Sequence, residues 1–211
     1  MLKIHLKIIY ERPLWLNIIF AIFGVIFIGV GSGVNFCANL GNDPSSVLVA
    51  GLSTRLNLSL GISVYILTGV MLVISLIFGK KNKNIGLGTV FYIIATGKII
   101  NSTVNLYNGL MPYQNLLSKV LSALFGCFIM IFGAALLASS NTGADAWTAA
   151  AMSISDTLHK DFKKVKVIFD AITCFLGFIL GGKIGIVTAL VALFGGPIMK
   201  FMLKKLEKVG I

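Results

Sequence analysis

Six stretches of the chain are predominantly apolar and long enough to cross a bilayer core of about 30 Å as helices. They cover Leu14–Ala38, Ile62–Phe78, Ile85–Val104, Leu116–Ala138, Val165–Leu180 and Ile184–Met202. The second and fifth are short and need flanking residues to complete a crossing. Apolar residues run continuously within these stretches instead of alternating with polar ones, so the pattern predicts helices and not barrel strands. A shorter apolar segment follows the first stretch and another follows the fourth. Asp43 precedes Pro44 at the start of one, and Asp145 precedes Ala146-Trp147 at the start of the other. Aspartate is a strong N-cap and proline suits the first helical position, so each marks a helix start. From Pro44 to about Leu56 the segment is too short to span, which predicts a re-entrant or interfacial helix. The second copy has better helix formers, and its Trp147 suits an interface.

Composition sharpens this reading. The chain has 211 residues, 57% hydrophobic and 12% charged, with a mean hydropathy of +0.95. One soluble core of this size cannot hide that much apolar surface. This excludes a water-soluble enzyme, a disordered chain, a coiled coil and a nucleic-acid-binding module, leaving an all-α polytopic membrane protein. Cys37, Cys127 and Cys174 lie in or beside apolar runs with no CxxC or Cys/His spacing. They read as packing residues, with neither a disulfide framework nor a metal site. The first apolar run is too long for a signal-peptide core.

The net charge of +11 comes from short basic clusters between the apolar runs. Lys3, Lys7 and Arg12 precede the first run, and Lys80, Lys81 and Lys83 follow the second. Lys160, Lys163, Lys164 and Lys166 open the fifth, and Lys200, Lys204, Lys205 and Lys208 close the chain. With six spans all four clusters fall on one side, which the positive-inside rule makes the cytoplasm. The opposite loops carry only Arg55, Lys119 and Lys183. Both termini are therefore expected inside.

The chain also matches itself. At an offset of 102, Ala21–Lys81 align without a gap on Ala123–Lys183. Gly24/Gly126, Gly31/Gly133, Asn39/Asn141, Gly41/Gly143, Asp43/Asp145 and Ser53/Ser155 coincide. Three residues then drop out of the second copy. At an offset of 99, Ile85/Ile184, Gly86/Gly185, Thr89/Thr188 and Gly97/Gly196 match. Apolar matches arise easily in membrane sequences, but repeated Gly, Asn and Asp at one register do not. Each copy holds three spans, so the second enters the membrane from the opposite side. The expected architecture is a single membrane domain over 1–211, with a first repeat at 14–104 and an inverted second at 116–202.

The repeated N-x-G-x-D motif supplies the candidate binding residues: Asn39, Gly41 and Asp43, and Asn141, Gly143 and Asp145. Glycine permits a sharp turn before the helix start. A half-helix N-terminus favours an anion, whereas the aspartates favour a cation or a donor-rich solute. The plainer alternative is that each Asp only caps its helix. Asp170, within the fifth span, is a further candidate because an intramembrane carboxylate is costly. Lys166 stands four residues before it, so an i,i+4 ion pair is the competing reading. Lys98 is expected to snorkel to the headgroups. Thr89, Tyr92, Thr96 and Thr103 read as helix–helix glue. Gly195-Gly196-Pro197 is expected to break the last helix. The histidines, His5 and His159, stand near the basic clusters, and no HExxH, GxSxG or P-loop occurs. The sequence therefore offers no catalytic residues, cofactor motif or metal ligands.

Leu40-Gly41-Asn42-Asp43-Pro44, Asn141-Thr142-Gly143-Ala144-Asp145-Ala146-Trp147, Gly182–Thr188 and Phe194–Ile198 carry a family resemblance. In these motifs the chain resembles the bacterial YczE/YyaS/YitT integral membrane proteins, in the short YczE-type form. The resemblance covers about residues 17 to 203. It implies a bacterial cytoplasmic membrane location and a helical membrane fold, and it carries over no catalytic residues. The expected function is movement of a small solute or ion by alternating access. The alternative is a non-transporting membrane protein that assists or regulates a partner. The expected surroundings are the lipid bilayer, with room for a homo-oligomer, and no nucleic acid.

Overall fold

The computed structural model describes residues 13–79, 84–111 and 115–208. Lys3, His5, Lys7, Arg12, Lys80, Lys81 and Lys83 lie outside the described residues. The described chain folds as α1 (Leu14–Ala38), α2 (Pro44–Leu56), α3 (Leu60–Phe78), α4 (Leu87–Leu110), α5 (Leu116–Ser139), α6 (Ala146–Leu158), α7 (Phe162–Ile179) and α8 (Ile186–Lys208). Five of these, α1, α3, α4, α5 and α8, are long and apolar enough to cross a membrane. The segment expected as the fifth span forms α7, which carries Lys163, Lys164, Lys166 and Asp170 in its first half. These four charges lie within its 18 residues, whereas the charges of α8 gather at its C-terminal end after a long apolar stretch. The two short segments form α2 and α6, each of 13 residues.

Side chains are sorted as expected where lipid, not water, is the solvent. Large apolar residues point outward, with Phe125 58% and Phe175 63% exposed. Small and hydroxylated residues fill the interior: Ala135, Ala149, Ala150, Thr68 and Thr89 are all fully buried. Lipid tails are as apolar as leucine, so helices associate through close packing of small residues and through interhelical hydrogen bonds.

The central crossing is α1 on α5. Gly24 abuts Gly133, and Gly31 abuts Gly126. Numbers rise along one helix as they fall along the other, so the two run antiparallel. A Cβ on Gly24 would lie 2.7 Å from the Leu137 nitrogen, and one on Gly31 would lie 2.6 Å from that of Met130. The backbones can approach this closely only because neither position carries a side chain. Around this pair, α4 packs on α1, with Gly29 against Ile99 and Gly33 against Thr103. The last helix packs on α5 through Ile131 and Leu136 against Met202 and Leu206. Contrary to the sequence expectation, α8 continues through Pro197 without a break. The missing N–H of Pro197 removes one intrahelical bond, and the helix tolerates it.

The short helices pack on the long helices of the opposite half. The first, α2, lies on α7 with Gly51 against the Gly177 carbonyl. The second, α6, lies on α3, where the Ser75 and Ser153 hydroxyls bond at 2.9 Å. Positions 51 and 153, and 75 and 177, are separated by the same 102-residue offset.

Candidate functional site

Two turns lead into α2 and α6, and both have the same build. Asn39 and Asn141 take left-handed backbone, with φ of 56° and 51°, a conformation asparagine tolerates better than most residues. Gly41 and Gly143 follow at φ 96° and 107°, where a Cβ would be strained and would also strike the Gly185 and Gly86 nitrogens respectively. The turns are then fastened to the far half of the chain. The Leu40 carbonyl accepts from Val187 N at 3.2 Å, and that of Thr142 accepts from Gly88 N at 2.8 Å. The Thr188 hydroxyl accepts from Asn42 N at 3.2 Å. The Thr89 hydroxyl donates to the Ala144 carbonyl at 2.6 Å. Each turn therefore holds the start of α8 or α4 from the other half.

Both aspartates cap their helices with one carboxylate oxygen. Asp43 Oδ2 accepts from Ser46 N at 3.3 Å and from the Ser45 hydroxyl. Asp145 Oδ1 accepts from Trp147 N at 3.1 Å and Thr148 N at 3.0 Å. Among the described residues no donor reaches Asp43 Oδ1 or Asp145 Oδ2.

Both capped ends face one cavity of about 160 Å³. Asp43, Asp145, Tyr92, Thr96, Trp147 and Lys166 contribute to its wall. Ser32, Ser45, Ser46 and Thr148 add hydroxyls, while Ile28, Val49 and Met130 supply apolar surface. Thr96 is 1% exposed and its hydroxyl has no hydrogen-bond partner. A second cavity of about 320 Å³ adjoins the first turn, lined by Asn35, Asn39, Gly41, Asn42 and Lys183. Ser46 borders both cavities.

The candidate residues divide accordingly. Asp43 and Asp145 come together on the central wall. Asn39 and Gly41 shape the first turn and border the second cavity. Asn141 and Gly143 shape the second turn. Asp170 forms the expected ion pair with Lys166 and reaches the central cavity only through that partner. Thr173 donates its hydroxyl to the Asp170 carbonyl at 3.0 Å. Sequence reasoning missed Lys166, Tyr92 and Thr96 as wall residues. Tyr92 and Thr96, expected as helix glue, both line the cavity, while Thr89 on the same stripe locks the second turn. The usable signal for Lys166 was its mismatch with Val64 at the 102-residue offset. Among the described residues no three His, Cys, Asp or Glu side chains gather as a metal site.

Long apolar helices whose large apolar and aromatic side chains point outward define a multi-pass helical membrane protein. The chain belongs to a family of unknown function, DUF6198, whose profile matches residues 15–204. It is 27% identical over 188 residues to an uncharacterized protein of Haemophilus influenzae, covering 89% of this chain and 84% of that one. It is 23% identical over 185 residues to the uncharacterized protein YyaS of Bacillus subtilis, covering 88% and 91% respectively. These relatives agree with the YczE/YyaS-type resemblance read from the motifs. No solved structure matches the chain.

Proposed function

We propose that this protein moves a small solute or ion across the bacterial cytoplasmic membrane by alternating access. In this reading α7 is the fifth of six spans, both termini are cytoplasmic, and the two halves form an inverted repeat around the central cavity. The observation that carries it is the meeting of Asp43 and Asp145 on one cavity wall. These residues lie 102 positions apart and cap helices from different halves. The antiparallel glycine crossing of α1 and α5 supports the same symmetry, because equivalent helices related by an axis in the membrane plane must run oppositely. The exchange of α2 onto α7 and α6 onto α3 supports it again. The lysine-rich start of α7 sits at the cytoplasmic headgroups, where its long stems reach anionic lipid.

Two experiments test this reading. In a background without native cysteines, Asn84→Cys should react with impermeant thiol reagents from the cytoplasmic side only. Asn115→Cys should react from the outside only. Reaction of both from one side removes the crossing of α4 and the six-span arrangement with it, and the reverse pattern removes the cytoplasmic placement of the termini. A flux screen in proteoliposomes should then find a solute whose movement is lost in Asp43→Asn/Asp145→Asn. Full flux in that variant would reduce both residues to caps.

A further inference from the structure

The wall of the central cavity combines features that select a particular kind of solute. Each cap engages one carboxylate oxygen with its own helix and leaves the other, Asp43 Oδ1 or Asp145 Oδ2, without a donor. A helix N-terminus carries roughly half a positive charge, so a full carboxylate at each leaves the pair of ends net negative. Lys166 also lines the cavity, but its ammonium is taken by Asp170 and that pair is neutral together. The unmatched charge facing the space is therefore negative.

The rest of the wall argues against a bare metal ion. Tyr92 and Trp147 line the cavity and are buried, at 7% and 5% exposure. Ile28, Val49 and Met130 add aliphatic surface. Small hard cations take six or more oxygen ligands and keep water, and an aromatic and aliphatic lining offers them little. Aromatic faces and carboxylates together suit an alkylammonium ion. Size agrees: the cavity holds about 160 Å³, and an apolar protein cavity of about 150 Å³ accommodates benzene. The buried Thr96 hydroxyl, unpartnered on the same wall, points separately to a ligand. Its desolvation is uncompensated until something in the cavity bonds to it.

We infer that the central cavity binds a compact organic ammonium ion of about five to eight heavy atoms, sized by the benzene-binding cavity. Its charge lies between the free oxygens of Asp43 and Asp145, and its carbon atoms lie against Tyr92 and Trp147. The Thr96 hydroxyl bonds a polar substituent of the ligand or a water beside it. The inference rests on the transport reading for its biological use, but binding is measurable without flux.

Thermal unfolding of the full-length protein in detergent, titrated with tetramethylammonium and with choline, tests this inference. Sodium, the neutral choline isostere 3,3-dimethylbutan-1-ol and zwitterionic glycine betaine are the controls. The organic cations should raise the midpoint saturably, and the neutral isostere and sodium should not. Asp43→Asn and Asp145→Asn should each fold normally and weaken choline roughly tenfold or more, the range for losing a charged partner. Trp147→Leu should weaken both choline and tetramethylammonium. Stabilisation by the neutral isostere equal to that by choline would overturn the inference. So would unchanged choline affinity in the double Asn variant, a response to sodium alone, or no response to either organic cation. A stronger response to glycine betaine than to choline would instead make Lys166 a carboxylate site. Binding of choline without any flux in proteoliposomes would retain this inference and remove the transport reading. Flux of an unrelated solute without choline binding would do the opposite.

Discussion

The two short helices dock on the opposite half in different ways, although corresponding residues build the contacts. At the glycine end, α2 meets α7 through Gly51 and Gly177, and the contact is backbone on backbone. At the serine end, α6 meets α3 through Ser153 and Ser75, which share a hydrogen bond at 2.9 Å. More polar contacts surround the serine pair. The Asn84 amide donates to Asp156 Oδ2 at 3.3 Å and to Ser153 Oγ at 3.5 Å. The Thr157 hydroxyl donates to the Phe78 carbonyl. At the glycine end, positions 54 and 55 hold Thr54 and Arg55 where the serine end has Asp156 and Thr157. Asn84 lies among the three residues that the second copy lacks. The glycine end adjoins the larger cavity beside Asn39 and Gly41. One end is thus held by shape and the other by hydrogen bonds. Hydrogen bonds can be exchanged with water during a conformational change, whereas glycine packing can only slide. In the proposed topology the serine end faces the cytoplasm, and under the transport proposal an inward opening would break its hydrogen bonds.

Substitutions that exchange the two ends should therefore have unequal effects. The largest is expected from placing serine in the glycine crossing. A Cβ on Gly177 would lie 2.5 Å from Leu48 N and 2.6 Å from the Val47 carbonyl carbon, so Gly177→Ser should destabilise by about 3 kcal/mol through overpacking. Thermal unfolding in detergent would register it, and a wild-type midpoint would mean the crossing is loose. The reverse change, Ser75→Gly with Ser153→Gly, should cost about 1–2 kcal/mol from a lost hydrogen bond and lower helix propensity. It should also raise thiol labelling of the cavity from the serine end, and unchanged labelling would show that the serines do not hold that end. Asn84→Ala removes partly exposed bonds and should cost about 0.5–1 kcal/mol, with a smaller rise in labelling. The smallest stability effect is expected from Asp43→Asn or Asp145→Asn, a few tenths of a kcal/mol, because asparagine is nearly as good an N-cap. A loss above about 1 kcal/mol would mean that the carboxylate charge, and not only its cap, holds the turn.

Much of this architecture was legible in the residues. Leu14–Ala38 and Pro44–Leu56 form helices with the expected bounds, because lipid-length apolar runs and an Asp-Pro start are strong local signals. The paired Asn-x-Gly-x-Asp motif located both turns, since left-handed backbone and a tight approach each restrict the residue type. What could not be read were contacts between distant segments. Nothing near Thr188 announces that its hydroxyl receives Asn42 N, and nothing near Lys166 places it beside Asp43 and Asp145. In the sequence Lys166 belongs to the basic run of Lys160, Lys163 and Lys164 and stands four residues before Asp170, which marks it as a topology lysine and an ion-pair partner and says nothing of a cavity. The packing of α7 against α2 and α6 brings it to the cavity wall. Pro197 misled for a related reason: proline weakens a helix locally, but the surrounding residues of α8 continue it.

The central claim is that Asp43 and Asp145 face one cavity reached in turn from each side of the membrane. Side-specific thiol labelling tests it most directly. Cys37, Cys127 and Cys174 would first be replaced by serine, and Ser45→Cys and Thr148→Cys, both on the cavity wall, would be introduced singly. Each cysteine should react with an impermeant reagent applied from either side. Reaction from the cytoplasmic side should be faster when Ser75→Gly and Ser153→Gly are present. Reaction of both cysteines from one side alone, unchanged by those glycines, would contradict it.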